Sequence, residues 1–453
     1  MECGMQNIMT INIKRMVPVI LVILTLIVTC PAAADPIGKR ILLENGMVLL
    51  LSEKHEIPMV TVNMALKAGN TAAPADKPGL ATITASLLTQ GTTKRSAIQI
   101  HKEIDFIGGS LSTTGGEDFA SANLRVLKKD IRVGLDLLSD VILNPTFDQK
   151  EIDRKVKVTL ADIQRQKQEP SIVAGQAFAK AVFGSHPYGR TNDEIAAYYP
   201  KLARQDIIDF YSSRYSPDNA IIAVVGDVTE KEIIVMLNEY FKAWQKKAKP
   251  FSTPIQPPVI ENTIVQKIDK DVAQANIDMG HIGISRENPD FYAVSVMNYI
   301  LGGGGFSSRL MDNIRDNKGL AYDVYSVFTA QKEPGSFMVA IQTKNESANE
   351  VIAETQKEIR RIQTDFVSET EIADAKAYLS GSFPLRMDTY AKIAGMLTSI
   401  EIYNLGLDYP QKYPDLINGV TREDIQRVAK KYLRPDKMVI VVVANQEKAK
   451  LKY

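Results

Sequence analysis

The sequence is poor in the residues that bind metals and form disulfides. Of its 453 residues, two are cysteine and four are histidine. Cys3 and Cys30 both lie near the start, so a chain that begins after residue 34 has no disulfide, thiolate zinc site or cysteine nucleophile. No two histidines are close in sequence, which excludes the short-spaced histidine pairs of common zinc motifs.

The sequence also lacks an excess of charge and a long apolar run. It has 54 basic and 53 acidic residues, and a net charge of +1 supplies no basic field for nucleic acid. No run reaches the roughly 20 apolar residues of a membrane-spanning helix. The hydrophobic fraction of 45% excludes a disordered chain, and the length predicts two to four domains.

The first 34 residues resemble a secretory leader in their pattern. Lys14 and Arg15 precede an apolar run, Met16–Thr29, that as a helix would span only about 21 Å. Small residues follow at 31–34, which predicts a cleaved signal peptide over residues 1–34 and export to a periplasm. An uncleaved anchor and lipidation at Cys30 are the open alternatives.

The two halves of the sequence repeat one unit. RQDIIDFYSSRYSPDNAIIAVVGDV, near residue 204, matches REDIQRVAKKYLRPDKMVIVVVANQ at a constant offset of 218 residues. Four prolines between 246 and 258 indicate a stiff linker. We therefore predict an α+β fold with two homologous domains, at 35–245 and 261–453, joined by a linker at 246–260.

Local patterns predict the elements of the first unit. Asn45-Gly46 favours a hairpin turn, and Asp148 and Thr229 are suited to cap helices. We expect strands at 59–66 and 220–225, a hairpin over 109–124, and helices at 80–88, 97–107, 130–142, 149–168, 172–182, 204–215 and 230–244.

Three segments resemble the insulinase/pitrilysin zinc peptidases, the family of mitochondrial processing peptidase. They are NGMVLLLSEKHEIPMVTVNMALKAGN, PGLATITASLLTQGTTKRS and GGGGFSSRLMDNIRDNKGLAYDVYS, and the likeness covers nearly the whole chain after residue 35. The resemblance implies an antiparallel-rich sheet covered by helices in each domain. Catalytic members carry His-x-x-Glu-His after Pro-Gly-Leu-Ala, where two histidines bind zinc and the glutamate activates water.

This sequence departs from that motif at every essential position. Thr82 and Ser86 replace the histidines, Ala85 replaces the glutamate, and Asp162 aligns with the third ligand, a glutamate. We therefore predict that this chain holds no metal or other cofactor, and that residues 82–86 form an amphipathic helix packed on its domain. Zinc is expected in a partner subunit.

A second feature of the family is retained. IRDNKGLAY supplies an arginine and a tyrosine seven residues apart, Arg315 and Tyr322. In the family such a pair reaches the zinc site from the other half of the clamp. A guanidinium and a phenol can donate hydrogen bonds to a substrate carbonyl and to the oxyanion formed when water attacks it.

Other segments are candidates for peptide binding. The run Gly302, Gly303, Gly304 and Gly305 lacks the Lys-Ser/Thr of a phosphate loop, and we interpret it as a hinge between helices. The resemblance implies that this run also contacts substrate. The resemblance implies a substrate-pairing edge strand over 111–124, which includes Gly115 and Gly116, and we expect 274–280 to be the corresponding strand of the second half.

The resulting hypothesis is a non-catalytic subunit of a heterodimeric periplasmic zinc peptidase. Its partners would be a homologous subunit with an intact zinc motif and an extended peptide. Neither nucleic acid nor a membrane span of the exported chain is expected. The alternative is a catalytically inert scaffold or peptide-binding protein derived from a peptidase.

Overall fold

The computed structural model describes residues 36–246 and 256–452. The predicted signal peptide lies outside this part of the chain. Its strands are β1 (Lys39–Leu42), β2 (Val48–Glu53), β3 (Met59–Leu66), β4 (Ser110–Gly115), β5 (Ala120–Leu127), β6 (Ala220–Gly226), β7 (Ile264–Asp269), β8 (Gln274–Ile282), β9 (Ala321–Phe328), β10 (Ser336–Lys344) and β11 (Val439–Ala444).

Helices connect and cover these strands. They are α1 (Leu80–Leu87), α2 (Ala97–Phe106), α3 (Ile131–Leu143), α4 (Gln149–Gln166), α5 (Pro170–Phe183), α6 (Asn192–Tyr198), α7 (Arg204–Arg214), α8 (Glu230–Phe241), α9 (Phe291–Asn298), α10 (Ala348–Thr364), α11 (Glu369–Gly381), α12 (Tyr390–Ile402), α13 (Tyr409–Asn418), α14 (Arg422–Tyr432) and α15 (Gln446–Ala449). No helix in the described residues is both long and apolar enough to cross a bilayer.

The local signals in the sequence act as expected. Gly46 adopts a φ of +91° in the turn between β1 and β2, a conformation that costs glycine little. The Asp148 side chain accepts a hydrogen bond from the Lys150 N–H at the start of α4. Thr229 forms a reciprocal capping box with Glu232 at the start of α8. The predicted elements of the first unit are confirmed to within a few residues.

The two sheets share one order over five strands, and the first sheet has β1 as a sixth strand. The first runs β1-β2-β6-β3-β5-β4 and the second runs β7-β11-β8-β10-β9. In each, one parallel pair (β2 with β6, β7 with β11) is followed by antiparallel pairs only. The antiparallel-rich α+β fold is confirmed, and helices α7 and α14 lie at the predicted offset of 218 residues. The domain and linker bounds stay a prediction, since most of the linker lies outside the described residues.

The prediction for residues 274–280 is wrong. They form most of β8, which pairs with β11 on one side and β10 on the other, so no backbone edge is free for a peptide. In the first sheet β4 is an edge strand, and its counterpart in the second is β9. Alternation of side chains identifies a strand but not its place in the sheet, which explains the error.

One helix from each half packs on the sheet of the other half. Helix α5 of the first half packs on β8 and β11 of the second sheet, and α12 of the second half packs on β6 and β3 of the first. Buried aliphatic side chains fill both contacts, among them Ala174 and Val441 in one cluster and Leu397 and Val225 in the other. Each sheet is therefore covered on one face by its own helices and on part of the other by a helix from the other half.

Candidate functional site

Helix α1 holds the positions of the zinc motif and lies against the edge strand of the first sheet. The helix begins directly after Pro78-Gly79, as predicted, and Gly79 has a left-handed backbone conformation that glycine adopts easily. At the end of β4, a Cβ atom on Gly115 would lie 2.6 Å from the Thr82 Cα atom. Gly115 is therefore required for the close approach of strand and helix.

The side chains at the motif positions are bound within the protein. The Thr82 hydroxyl donates to the Asn70 Oδ1 atom at 3.2 Å, and the Ser86 hydroxyl donates to the Ile83 carbonyl oxygen at 2.9 Å. Ala85 is fully buried in the first core and carries no ligand atom. The prediction that this segment is a helix packed on its domain is confirmed, although no residue of α1 is fully exposed.

Asp162 is held by its own helix. Its carboxylate accepts hydrogen bonds from the Arg165 guanidinium at 2.5 Å and from the Gln166 amide at 2.6 Å. The bond from Arg165 keeps the pKa of Asp162 below its usual value. A metal ion would therefore have to displace a cation that is already bound.

These residues do not fit a zinc ion. Zinc sites in proteins use imidazole, thiolate and carboxylate ligands, and α1 offers two engaged hydroxyls and a methyl group. Within residues 36–246 and 256–452, no three His, Cys, Asp or Glu side chains are arranged to hold a metal. The hypothesis that zinc belongs to a partner remains a prediction.

Two charged residues near α1 were not anticipated from the sequence. Glu117 follows Gly116 in the β4–β5 turn, and burial raises the pKa of its carboxyl group. Asn70 joins Glu117 to Thr82, because its amide nitrogen donates to the Glu117 Oε1 atom at 3.4 Å. Arg190 donates to three backbone carbonyls of the 70–74 loop, including that of Asn70 at 2.6 Å. Their isolated positions in the sequence gave no signal of this packing.

Arg315 and Tyr322 lie on either side of one turn at the edge of the second sheet. Arg315 is in a wide helical segment, Met311–Asn317, and Gly319 donates its N–H back to the Arg315 carbonyl at 2.9 Å. Tyr322 is the second residue of the edge strand β9 and is 73% exposed. Within the described residues its hydroxyl has no hydrogen-bond partner.

The Arg315 guanidinium lies over an exposed aromatic ring. Its central carbon is 4.8 Å from the centroid of Phe306, which is itself 71% exposed. The nearest carboxylate, that of Asp316, is 3.8 Å away. A cation–π contact of this kind holds the side chain while leaving its N–H groups free to bind another molecule. Sequence reasoning missed Phe306, which directly follows the glycine run.

The glycine run forms a turn between two helical segments, as predicted. The turn approaches β9 most closely at Gly302, where a Cβ atom would lie 2.5 Å from the Ser326 Oγ atom. Gly303 and Gly304 pack on Asn298 and Tyr299, and Gly305 has a φ of +57°. Contact of this turn, or of Gly115 and Gly116, with a peptide stays a prediction.

Two family models match most of the chain. The model described as insulinase (peptidase family M16) matches residues 48–192, and the model described as peptidase M16 inactive domain matches residues 201–379. Relatives include the uncharacterized zinc protease YmxG of Bacillus subtilis, 24% identical over 78% of this chain and 85% of that relative. The uncharacterized zinc protease SCO5738 of Streptomyces coelicolor is 26% identical over 81% of each chain.

Solved structures show the same fold. A peptidase M16 inactive domain from Pseudomonas fluorescens superposes with a TM-score of 0.84 and 29% identity, over 90% of this chain and 98% of that one. The periplasmic protease PqqL of Escherichia coli superposes at 0.75 with 15% identity, and the chain covers 90% of its own length and 47% of PqqL. The strand order, the α1–β4 contact and the matched models agree, and the chain belongs to peptidase family M16.

Proposed function

We propose that this chain is the non-catalytic subunit of a heterodimeric periplasmic zinc metallopeptidase. A homologous partner would hold zinc in an intact His-x-x-Glu-His helix. This chain would bind an extended peptide and donate Arg315 and Tyr322 to the reacting carbonyl. The observation that carries the proposal is the contrast between an α1 helix without zinc ligands and an exposed, unpartnered Tyr322.

The chemistry assigned to this chain is hydrogen-bond donation. When a zinc-activated water attacks a peptide carbonyl, negative charge develops on the carbonyl oxygen. A phenol and a guanidinium placed at that oxygen stabilise the charge more than they stabilise the substrate, which lowers the barrier. The exposed Tyr322 hydroxyl and the half-buried Arg315 guanidinium would supply both donors.

Three observations support the peptide-binding and export parts of the proposal. Strand β4 ends beside α1 with one edge unpaired, so a peptide added there would lie next to the position of the zinc motif. The E. coli neighbour is described as periplasmic. The leader pattern of residues 14–34 is typical of exported bacterial proteins.

Mixing experiments test the proposal. The purified chain is incubated with an internally quenched peptide library, alone and with an M16 homologue from the same genome that retains the zinc motif. We expect hydrolysis only in the mixture, with one copy of each chain in the active fraction. Hydrolysis by either chain alone at the rate of the mixture would contradict the proposal. If the mixture also fails to hydrolyse any peptide, the inert scaffold is the better assignment.

A further inference from the structure

A buried acid lies where the two halves of the molecule meet. Asp278 is at the centre of β8 and is only 8% exposed. Helix α5, from the first half, packs on β8 and β11 of the second sheet. It passes above the carboxylate at a glycine, since a Cβ atom on Gly175 would lie 3.6 Å from the Asp278 Oδ2 atom. The contact that joins the halves therefore encloses a carboxyl group.

The surroundings of this carboxyl group are apolar. Its neighbours in register are Ala340 on β10 and Val441 on β11, and Val441 belongs to one buried cluster with Ala174 and Phe178 of α5. Within the described residues, the carboxylate has no hydrogen-bond or ion-pair partner. Burial therefore raises the pKa of Asp278 to about 7 from its ordinary 3.8. An ionised carboxylate would be an unpaired charge inside the contact, and such a charge is unfavourable away from water.

The charged and titratable side chains of the neighbouring elements do not neutralise Asp278. On β9, Tyr325 and Asp323 share its face of the sheet, and Asp323 adds negative charge there. Burial raises the pKa of Tyr325 above its ordinary value of 10, so this phenol stays neutral near pH 7. In α5 the charged residue is Lys180, whose amine donates to the Glu194 carboxylate at 2.5 Å.

Two buried histidines and one lysine complete the set of nearby charges. His281 lies on the opposite face of β8, because it is three residues from Asp278, and burial lowers its pKa to about 4. His186 follows α5, and burial lowers its pKa below the ordinary 6.5. Lys344, at the end of β10, pairs with Gln274, two same-face positions from Asp278. A change of charge at this contact near pH 7 is therefore assigned to Asp278.

We propose that Asp278 and α5 form a pH-sensitive contact between the two halves, in which release of the Asp278 proton to solvent frees α5 from the second sheet. Helix α5 begins at Pro170 and ends before Gly184, whose φ is +60°, so the chain turns at both ends and the helix can move as a unit. The inference goes beyond the proposed function, because neither zinc nor a partner takes part.

The direction of the pH effect follows from the two states of α5. In the closed state Asp278 is buried and its pKa is about 7, and in the opened state the carboxyl group is hydrated and titrates near its ordinary 3.8. Below about pH 4 both states keep the proton. Between about pH 4 and pH 7 only the opened state releases it, so opening increases with pH. Above about pH 7 both states are ionised, and opening reaches a plateau.

Hydrogen exchange of the full chain, followed by mass spectrometry between pH 5 and pH 9, tests the proposal. After correction for the intrinsic exchange rate at each pH, the protection of peptides from α5 measures how often the helix opens. We expect opening to increase about tenfold from pH 6 to pH 8 and to change little above pH 8, as the two pKa values imply. Helix α12, which packs on the first sheet, is the internal control and should keep constant protection.

Variants assign the effect to one residue. Asp278→Asn keeps the shape of the side chain and has no proton to release in this range. We expect its α5 protection to be equal at pH 6 and pH 8, and at pH 8 to exceed that of the wild type about tenfold or more. Asp105→Asn, at an exposed acid of α2, is the matched control and should keep the wild-type profile.

Three results would overturn the proposal. The first is α5 protection in the wild type that does not change between pH 6 and pH 8. The second is opening that continues to increase above pH 8, which would assign the titration to another group. The third is a wild-type pH profile in Asp278→Asn. The first two need only the wild-type chain, so they decide the question even if the variant does not fold.

Discussion

The side chains beside two of the edge strands, β4 and β9, differ in what they bind. Beside β4, the side chains at the zinc-motif positions are bound internally: Thr82 to Asn70, Ser86 to its own helix, and Ala85 in the core. Beside β9, Tyr322 is exposed with no hydrogen-bond partner for its hydroxyl among the described residues, and the half-buried Arg315 lies over the exposed Phe306 ring. The same fold therefore carries one site closed to metal and one open to a reacting group.

Under the proposed function, this difference separates the residues that assist catalysis from those that hold the fold. Both edges keep the same strand order and a glycine at the helix–strand contact, Gly115 at one and Gly302 at the other. The scaffold is thus preserved at both edges, while the polar side chains that could act on a substrate are concentrated at β9. Substitutions made at one edge at a time test whether the two edges differ in this way.

The largest effect is expected from Tyr322→Phe in the mixed complex. The change removes one oxyanion donor and keeps the ring, so kcat should fall about 100-fold or more while subunit association is unchanged. Steady-state kinetics and analytical ultracentrifugation measure the two quantities. Tyr378→Phe, at an exposed tyrosine of α11, is the control and should keep wild-type kcat. Equal kcat for both variants would end the donor assignment.

Asp278→Asn should stabilise the chain, and the gain should depend on pH. Burial raises the pKa of Asp278 to about 7 from an ordinary 3.8, so the unfolded chain releases this proton at lower pH than the folded chain. The penalty is absent below about pH 4, grows between pH 4 and 7, and is complete above pH 7. The variant should gain up to about 4 kcal/mol at pH 8.

Urea unfolding at pH 4.5 and pH 8 measures this gain. The control is Asp105→Asn, at an exposed position of α2, and it should gain less stability at pH 8 than Asp278→Asn. A gain for Asp278→Asn that is equal at both pH values would show that the carboxylate is compensated in the folded chain.

Gly115→Ala should weaken the closed edge. The new methyl group would lie 2.6 Å from the Thr82 Cα atom, and backbone must shift to admit it, at a cost of about 1–3 kcal/mol in the free energy of unfolding. Gly395→Ala in α12 meets no atom within 4 Å and should instead gain up to about 1 kcal/mol from helix propensity. Chemical denaturation of the two variants compares them, and equal effects would refute the packing role.

The smallest effect is expected from metal removal. A chain whose α1 residues do not bind zinc should unfold at the same temperature with and without 1,10-phenanthroline. A partner with the intact motif serves as the positive control and should lose thermal stability. A lower unfolding temperature for this chain in the chelator would mean that a metal contributes to its fold.

Sequence patterns predicted most of the local structure of the first unit, but they placed the edge strand of the second sheet at 274–280, which is an interior strand. The Asn45-Gly46 turn, the capping residues and the 218-residue repeat depend on neighbouring residues or on direct comparison, so they could be read without coordinates. The identities of Thr82, Ala85 and Ser86 likewise predicted that α1 would not suit zinc.

Features that depend on long-range packing could not be predicted. The place of β8 inside its sheet is set by its pairing with β10 and β11. The burial of Asp278 follows from the crossing of α5 from the other half, and the contact of Arg315 with Phe306 follows from the turn at the glycine run. None of these has a signature in local sequence.

Metal content and activity of the same purified sample test the central claim most directly. The account predicts that the isolated chain contains substoichiometric zinc by mass spectrometry and cleaves no peptide, and that cleavage begins when a zinc-loaded M16 partner is added. Stoichiometric zinc together with peptide cleavage by the chain alone would contradict it.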